Sequence, residues 1–183
     1  MTTALIIVDV QNGFDDPSWG RRNNPDAEAN IAALAGAWQE NGEPIVLVRH
    51  DSTTADSPLR PGQPGNDLQP LLDGIRPALL FGKHVNSAFL GDVDLDGWLH
   101  EREISQLVIC GIQTNMCVET TSRMGGNLGY DVTLPIDATY TFEAKGPTGT
   151  VLSAEQLYTA TAVNLHAGGF ARVITTEEAL RRA

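Results

Sequence analysis

Residues 4–10 read ALIIVDV. An alternating apolar–polar pattern would mark a strand with one face in water. This run is apolar without interruption until Asp9, which fits a short strand buried on both faces. Strands of that kind belong to parallel sheets covered by helices on either side, so the sequence around it should supply more such runs with helices between them.

It does. PIVLVRH (44–50), ALLFGK (78–83), QLVICGI (106–112), YDVTLPID (130–137) and ARVIT (171–175) read as five further strands. Asp26 precedes a helical stretch, NIAALAGAWQENG, in which Ile31, Leu34 and Trp38 recur at helical spacing and Gly42 provides a stop. LDGWLHERE (95–103) reads as a short helix, and Asn115 to about Leu128 as another, with Gly125 and Gly126 as weak points. Ser153 can cap SAEQLYTATAVNLHAGG, with Glu155 and Gln156 early in it. The closing TEEALRRA puts its acids first and its arginines last, as the helix dipole prefers. Strands alternating with helices predict an α/β fold in a single domain over residues 1–183. Its core is a doubly wound, mostly parallel six-stranded sheet with helices on both faces, a Rossmann-like three-layer arrangement. Two segments, 51–66 and 138–150, are rich in Gly, Pro, Ser or Thr and read as loops.

Composition narrows the function. The net charge is −11 and Lys and Arg form no run, which argues against nucleic acid and anionic membrane surfaces as partners. The acidity serves solubility, and only weakly favours cationic substrates by long-range steering. No stretch approaches the roughly 18 apolar residues of a membrane span. The N-terminal MTTALIIVDVQNGF lacks the basic region of a signal peptide, so the expected location is the cytoplasm. There the only two cysteines, Cys110 and Cys117, stay reduced.

In a doubly wound sheet, chemistry gathers beyond the carboxyl ends of the strands. Asp9 ends the first strand, Lys83 the third, and the fourth runs through GIQTN to Cys117. A thiolate attacks carbonyl carbon well, a nearby ammonium and a helix start favour the thiolate, and a carboxylate can shuttle its proton. Taken singly, each residue has a plainer reading. Asp9 could cap a turn, Lys83 could flank a strand in solvent, and either cysteine could fill a core. Cys110, inside LVIC, reads as core. A zinc pair from the two cysteines lacks supporting ligands.

Three stretches carry a family resemblance. DVQNGF (9–14) resembles an Asp-x-Gln-x-x-Phe motif, KHVNSAF (83–89) a Lys followed by Ser-x-Phe, and GIQTNMCV (111–118) a Gly-x-x-Thr-Asn/Asp-x-Cys-Val motif. In order and spacing they resemble the isochorismatase-like cysteine hydrolases, a family that includes nicotinamidases, carbamoylsarcosine and ureidoacrylate amidohydrolases, biuret hydrolase and streptothricin hydrolase. LGYDV and the following Asp137-Ala138 also fit. The resemblance implies a triad of Asp9 as general acid/base, Lys83 as electrostatic partner and Cys117 as nucleophile. It implies oxyanion donors from the backbone N–H groups of Gln113 and Cys117, and a cis peptide between Ile112 and Gln113. One such donor is worth about 3–4 kcal/mol of barrier.

Departures from the family narrow the substrate. Nicotinamidases in the family bind a metal through an Asp-x-His segment after the second strand. Here VRHDSTTADSPL puts Arg49 where an acid is wanted, and His50 stands alone until His84, so neither a metal nor another cofactor is expected. Cys117, where isochorismatases proper carry Asp, argues against vinyl-ether cleavage. RPGQPGNDL (60–68) resembles a loop at the pocket edge. Phe14, Trp19, His50 and Phe89 are the candidate substrate-pocket residues. The C-terminal third, from Ile136 to Val173, looks most like the streptothricin-hydrolase-like branch, which opens a lactam in a basic antibiotic.

The expected function is therefore a metal-independent cysteine amidohydrolase that cleaves a non-peptide C–N bond of a small molecule through a Cys117 thioester. The resemblance also implies a homo-oligomer, dimer or higher. Two alternatives stand beside it: a non-catalytic binding member of the same fold, and a thiol redox protein pairing Cys117 with Cys110.

Overall fold

The computed structural model describes residues 2–182. Its strands are β1 (Thr3–Val8), β2 (Ile45–His50), β3 (Leu79–Lys83), β4 (Gln106–Ile112), β5 (Asp131–Pro135), β6 (Thr139–Tyr140), β7 (Ala144–Lys145), β8 (Val151–Leu152) and β9 (Arg172–Ile174). The helices are α1 (Ala27–Asn41), α2 (Leu95–His100), α3 (Glu119–Asn127), α4 (Ala154–Ala167) and α5 (Thr176–Leu180). The main sheet runs β3-β2-β1-β4-β5-β9, every neighbouring pair parallel.

The continuous apolar run of β1 serves two cores at once. Ala4, Ile6 and Val8 belong to one buried cluster, while Leu5 and Ile7 belong to the other. The first cluster takes Leu95 and Leu99 from α2, Val118 from the turn before α3, and Leu165 from α4. The second takes Ile31, Leu34 and Trp38 from α1 and Ala179 from α5. Each fully buried Ile or Leu contributes about 1.5–3 kcal/mol, so this two-sided burial is the main force holding the layers together. Local signals set the helix ends. Ser153 and Gln156 form a capping box on α4, as do Thr175 and Glu178 on α5, and Gly42 ends α1 in the left-handed region.

The structure differs from the sequence expectation in several places. The sheet has a seventh member, because Thr139 and Tyr140 lie parallel beside Gly111 and Ile112. Residues 138–150, expected as loop, carry that strand and half of the small β7–β8 hairpin. Two-residue strands are too short to leave any periodicity in the sequence. Helix α2 stops at His100, since Glu103 adopts a positive φ of 55° that ends regular helix. The stretch expected as one helix from Asn115 opens with a wide π turn, Thr114–Val118, before α3 begins. Asp26 stands before α1, but its side chain makes no capping hydrogen bond.

One glycine fixes how closely the two central strands approach. Gly111 has φ of +123°, and a Cβ there would lie 2.0 Å from the Val8 carbonyl oxygen, on the neighbouring strand. Both the backbone conformation and the space exclude a side chain. Gly111→Ala is expected to lower unfolding free energy by about 3 kcal/mol or more, measured by urea denaturation.

Candidate active site

The sheet order reverses between β1 and β4. From β1 the chain winds outward to β2 and β3, and from β4 it winds the other way to β5 and β9. The crevice outside the carboxyl ends of these strands is where doubly wound folds place ligands. Four polar side chains from four separate segments meet there. Asp9 follows β1, His50 ends β2, Lys83 ends β3, and Cys117 sits in the π turn after β4. The β2–β3 register pairs His50 directly with Lys83.

Asp9 is fully buried at a φ of 54°, a conformation that a short polar side chain tolerates, and its N–H donates to the Val48 carbonyl at 2.8 Å. Lys83, also fully buried, donates from Nζ to Asp9 Oδ2 at 2.6 Å, and the same Nζ lies 3.3 Å from His50 Nδ1. The second carboxylate oxygen, Oδ1, is buried without a hydrogen bond of ordinary geometry. A carboxylate oxygen of Asp9, a ring nitrogen of His50 and Cys117 Sγ all lie within 4.8 Å of one another. The carboxylate and the thiol are close enough for each to shift the other's titration.

Burial governs the charges. It raises the Asp9 carboxyl from 3.8 to about 6, even though the Lys83 ammonium pulls the other way. Burial, followed by the charge of Asp9, pushes the Cys117 thiol up to about 12, again against Lys83. Burial and then Lys83 lower the His50 imidazole to about 4. Near pH 7 the site therefore holds a carboxylate against an ammonium, beside a neutral imidazole and a protonated thiol. The ammonium and helix start alone would favour a resting thiolate. Cys117 is only 8% exposed, and the desolvation cost outweighs them. Cys110 is fully buried, lies on β4 opposite Ile7 of β1, and has its thiol pushed higher still by burial alone.

The residues present do not fit a bound metal. Asp51, the acid next to His50, accepts two hydrogen bonds from Arg49, at 2.7 and 3.1 Å, and one from Asn66 Nδ2 at 2.9 Å. An ion held by Asp9, His50 and Cys117 would have to displace the ammonium already bonded to two of the three.

The turn carrying Cys117 is tied down from behind. The Ile112–Gln113 peptide is cis. The Gln113 carbonyl accepts from Met116 N–H at 3.1 Å and Val118 N–H at 3.2 Å. Thr114 Oγ1 and Thr139 Oγ1 are 2.8 Å apart, and Thr139 Oγ1 donates to the Ile136 carbonyl. Thr141 Oγ1 bonds the Asn115 side chain and reaches Gln113 Oε1 at 3.4 Å.

The candidate pocket residues separate into two groups. Phe14 and Trp19 stack with Phe142, with ring centroids 5.2 to 6.3 Å apart. Phe89 lies in the opposite core cluster, the one containing Cys117, and stacks on Tyr130 at 5.8 Å. The loop at 60–68 borders a surface cleft of about 820 Å³ that also takes Asn12, Gly13, Asp16 and Pro58, but none of the four polar residues lines it. Gln11, Thr139, Thr141 and Phe142 support the site without being singled out by the sequence. Gln11 carried a signal, being the Gln of DVQNGF; the other three lie in a segment read as plain loop.

Comparisons with known proteins identify the family and the fold. The Isochorismatase domain model matches residues 3–178. The isochorismatase family protein YrdC of Bacillus subtilis is 38% identical over 175 residues, covering 96% of this chain and 92% of its own. Ureidoacrylate amidohydrolase RutB of Methylobacterium radiotolerans is 30% identical over 174 residues, covering 76% of this chain and 67% of its own. A crystal structure of a putative isochorismatase-family hydrolase from Chromobacterium violaceum superimposes with a TM-score of 0.92 at 38% identity, over 98% of this chain and 92% of that one. Over nearly its whole length, in sequence and in fold, the chain belongs to the isochorismatase family of hydrolases.

Proposed function

We propose that the protein is a metal-independent cysteine amidohydrolase, one domain throughout, that cleaves a non-peptide C–N bond of a small amide, lactam or ureide. The observation that carries the reading is the buried meeting of Asp9, Lys83 and Cys117 at the strand-order switch. A non-catalytic binder gains nothing from burying an acid, an ammonium and a thiol together, since each must be desolvated. A redox pairing of the cysteines is disfavoured by their places, Cys110 inside a central strand and Cys117 in the turn beyond it.

In this mechanism the thiol proton passes to Asp9 as Sγ attacks the substrate carbonyl. Because the thiol resists ionisation at rest, transfer and attack proceed together, with Lys83 holding the anionic charge in place throughout. The oxyanion is held by the backbone N–H groups of Gln113 and Cys117. The C–N bond then breaks, Asp9 returns its proton to the departing nitrogen, and a Cys117 thioester remains. Water gives a proton to Asp9 and attacks the thioester. The acid leaves, and the thiol recovers its proton. A general base of this kind supplies roughly 10²–10⁴-fold of rate.

Asp9 must be ionised to accept the proton, so kcat/KM is expected to rise with pH through about 6 and then level off. The sign for stability is opposite. A carboxyl raised by folding favours the native state most below its unfolded value of 3.8, and that contribution is lost as pH rises through about 6. The reading is tested by release of ammonia or amine from a panel of carboxamides, lactams and ureides, assayed from pH 4.5 to 9. A profile flat through pH 6, or no release from any member, counts against it.

The assignment to the streptothricin-hydrolase-like branch rests on the resemblance of the C-terminal third alone. Two free thiols suit a reducing compartment such as the cytoplasm, and no helix among the described residues is long and apolar enough to cross a membrane. Exposed Val151, Leu152 and Val163 suit a homo-oligomer, which would cover them.

A further inference from the structure

The mechanism above leaves one member of the polar cluster without a task. His50 ends β2 beside Lys83, and its ring contributes an atom to the group that includes Cys117 Sγ. Its backbone is held unusually firmly. The side chain of fully buried Gln11 donates to the His50 carbonyl at 3.1 Å and accepts from the His50 N–H at 2.8 Å, and Asn66 Nδ2 also donates to that carbonyl. A second amide bond, from Gln11 Nε2 to the Asn66 carbonyl at 2.8 Å, fixes the clamp itself.

Lysine nitrogen in its charged form has only donors to offer. At 3.3 Å from Lys83 Nζ, His50 Nδ1 must therefore act as the acceptor, and the ring proton must sit on Nε2. Nε2 has no protein partner among the described residues. The other charged or titratable groups facing the ring are Asp51, His84, Asp9 and Cys117, of which the two acids alone favour an imidazolium.

We propose that Lys83 holds His50 as the neutral Nε2–H tautomer, and that this N–H is a fixed donor to a second acceptor atom on the substrate, next to the scissile carbonyl. The inference rests on the amidohydrolase reading and deepens it. It makes the preferred substrate one with two carbonyl-type oxygens close together, such as an imide, over the matching simple amide. Gln11 is the positioning residue, since it aims the ring through the backbone.

Two measurements test it. Long-range proton–nitrogen NMR on histidine-labelled protein reads the tautomer directly, with the His50 signal assigned by its loss in His50→Gln. The expected result is Nε2 protonated and Nδ1 bare from pH 5.5 to 8. An Nδ1–H tautomer, or a ring that titrates near 6.5, overturns the inference whatever the activity. The second measurement compares succinimide with 2-pyrrolidinone, rings of one size with two carbonyls and one. His50→Leu is expected to lower kcat/KM for succinimide about 10- to 100-fold more than it lowers that for 2-pyrrolidinone, and His50→Gln, whose amide is again a donor, is expected to restore most of that difference. Equal losses on both substrates would mark a merely structural role and overturn the proposal. If the wild-type protein hydrolyses no amide at all, the amidohydrolase reading fails, and the substrate half of the inference falls with it. The NMR result still decides the tautomer.

Discussion

Cys117→Ala is expected to lower kcat/KM at least about 10⁴-fold, because removing a covalent nucleophile removes the pathway rather than weakening it. What remains would come from substrate binding and any oxyanion donors. Stability should change little, since the deleted atom is one sulfur at the edge of the core, 8% exposed. Cys110→Ala supplies the contrast. That thiol is sealed between the strand and α1 layers, so its loss is expected to cost about 1–3 kcal/mol of stability and leave the rate within about twofold. Steady-state kinetics and urea denaturation on the two variants separate the roles. Equal effects on rate would remove the distinction between the two cysteines.

The second large effect concerns the buried ion pair. Lys83→Met leaves the Asp9 carboxylate with no countercharge in a site sealed from water. Breaking such a pair from one side costs about 3–5 kcal/mol. Lys83 is also the principal group lowering the Asp9 carboxyl, so its loss lets burial raise that carboxyl further. Asp9 then ionises only at a higher pH, as an unpaired buried charge, and is a poorer acceptor of the thiol proton. The variant should be both less stable and nearly inactive, with whatever rate survives shifted to higher pH. Adding Asp9→Asn to Lys83→Met removes the stranded charge. The double variant should recover much of the stability and none of the activity, a non-additivity that marks the pair as one unit. A Lys83→Met protein as stable as wild type, with an unchanged pH profile, would show that the pair has no such role.

The parts of this molecule that were legible beforehand are those with long-range regularity. The runs at 4–10, 44–50 and 106–112 are largely apolar without alternation, as strands covered on both faces are, and β1, β2 and β4 occur where those runs fall. What the sequence hid is local. Thr139 and Tyr140 become a strand because Gly111 and Ile112 have a free edge beyond β5, a tertiary fact with no periodicity to announce it. The direction of the Cys117 shift was hidden for a related reason. A motif shows that an ammonium and a thiol are near each other, but not how much water is excluded around them, and here exclusion outweighs the ammonium. Phe89 illustrates the same limit. Its motif sits beside the lysine, yet its ring turns into the core against Tyr130 while Phe14 and Trp19 stack on the far layer with Phe142.

The covalent step is the centre of the account, and acid-quenched peptide mass spectrometry tests it most directly. Protein mixed with a hydrolysed amide is stopped in acid within milliseconds to seconds, where a thioester survives, and digested. The account predicts the acyl mass on the peptide carrying Cys117, absent from Cys110, disappearing as substrate is exhausted and restored by a fresh addition. Turnover at the full rate with no mass added to Cys117 at any quench time would contradict it.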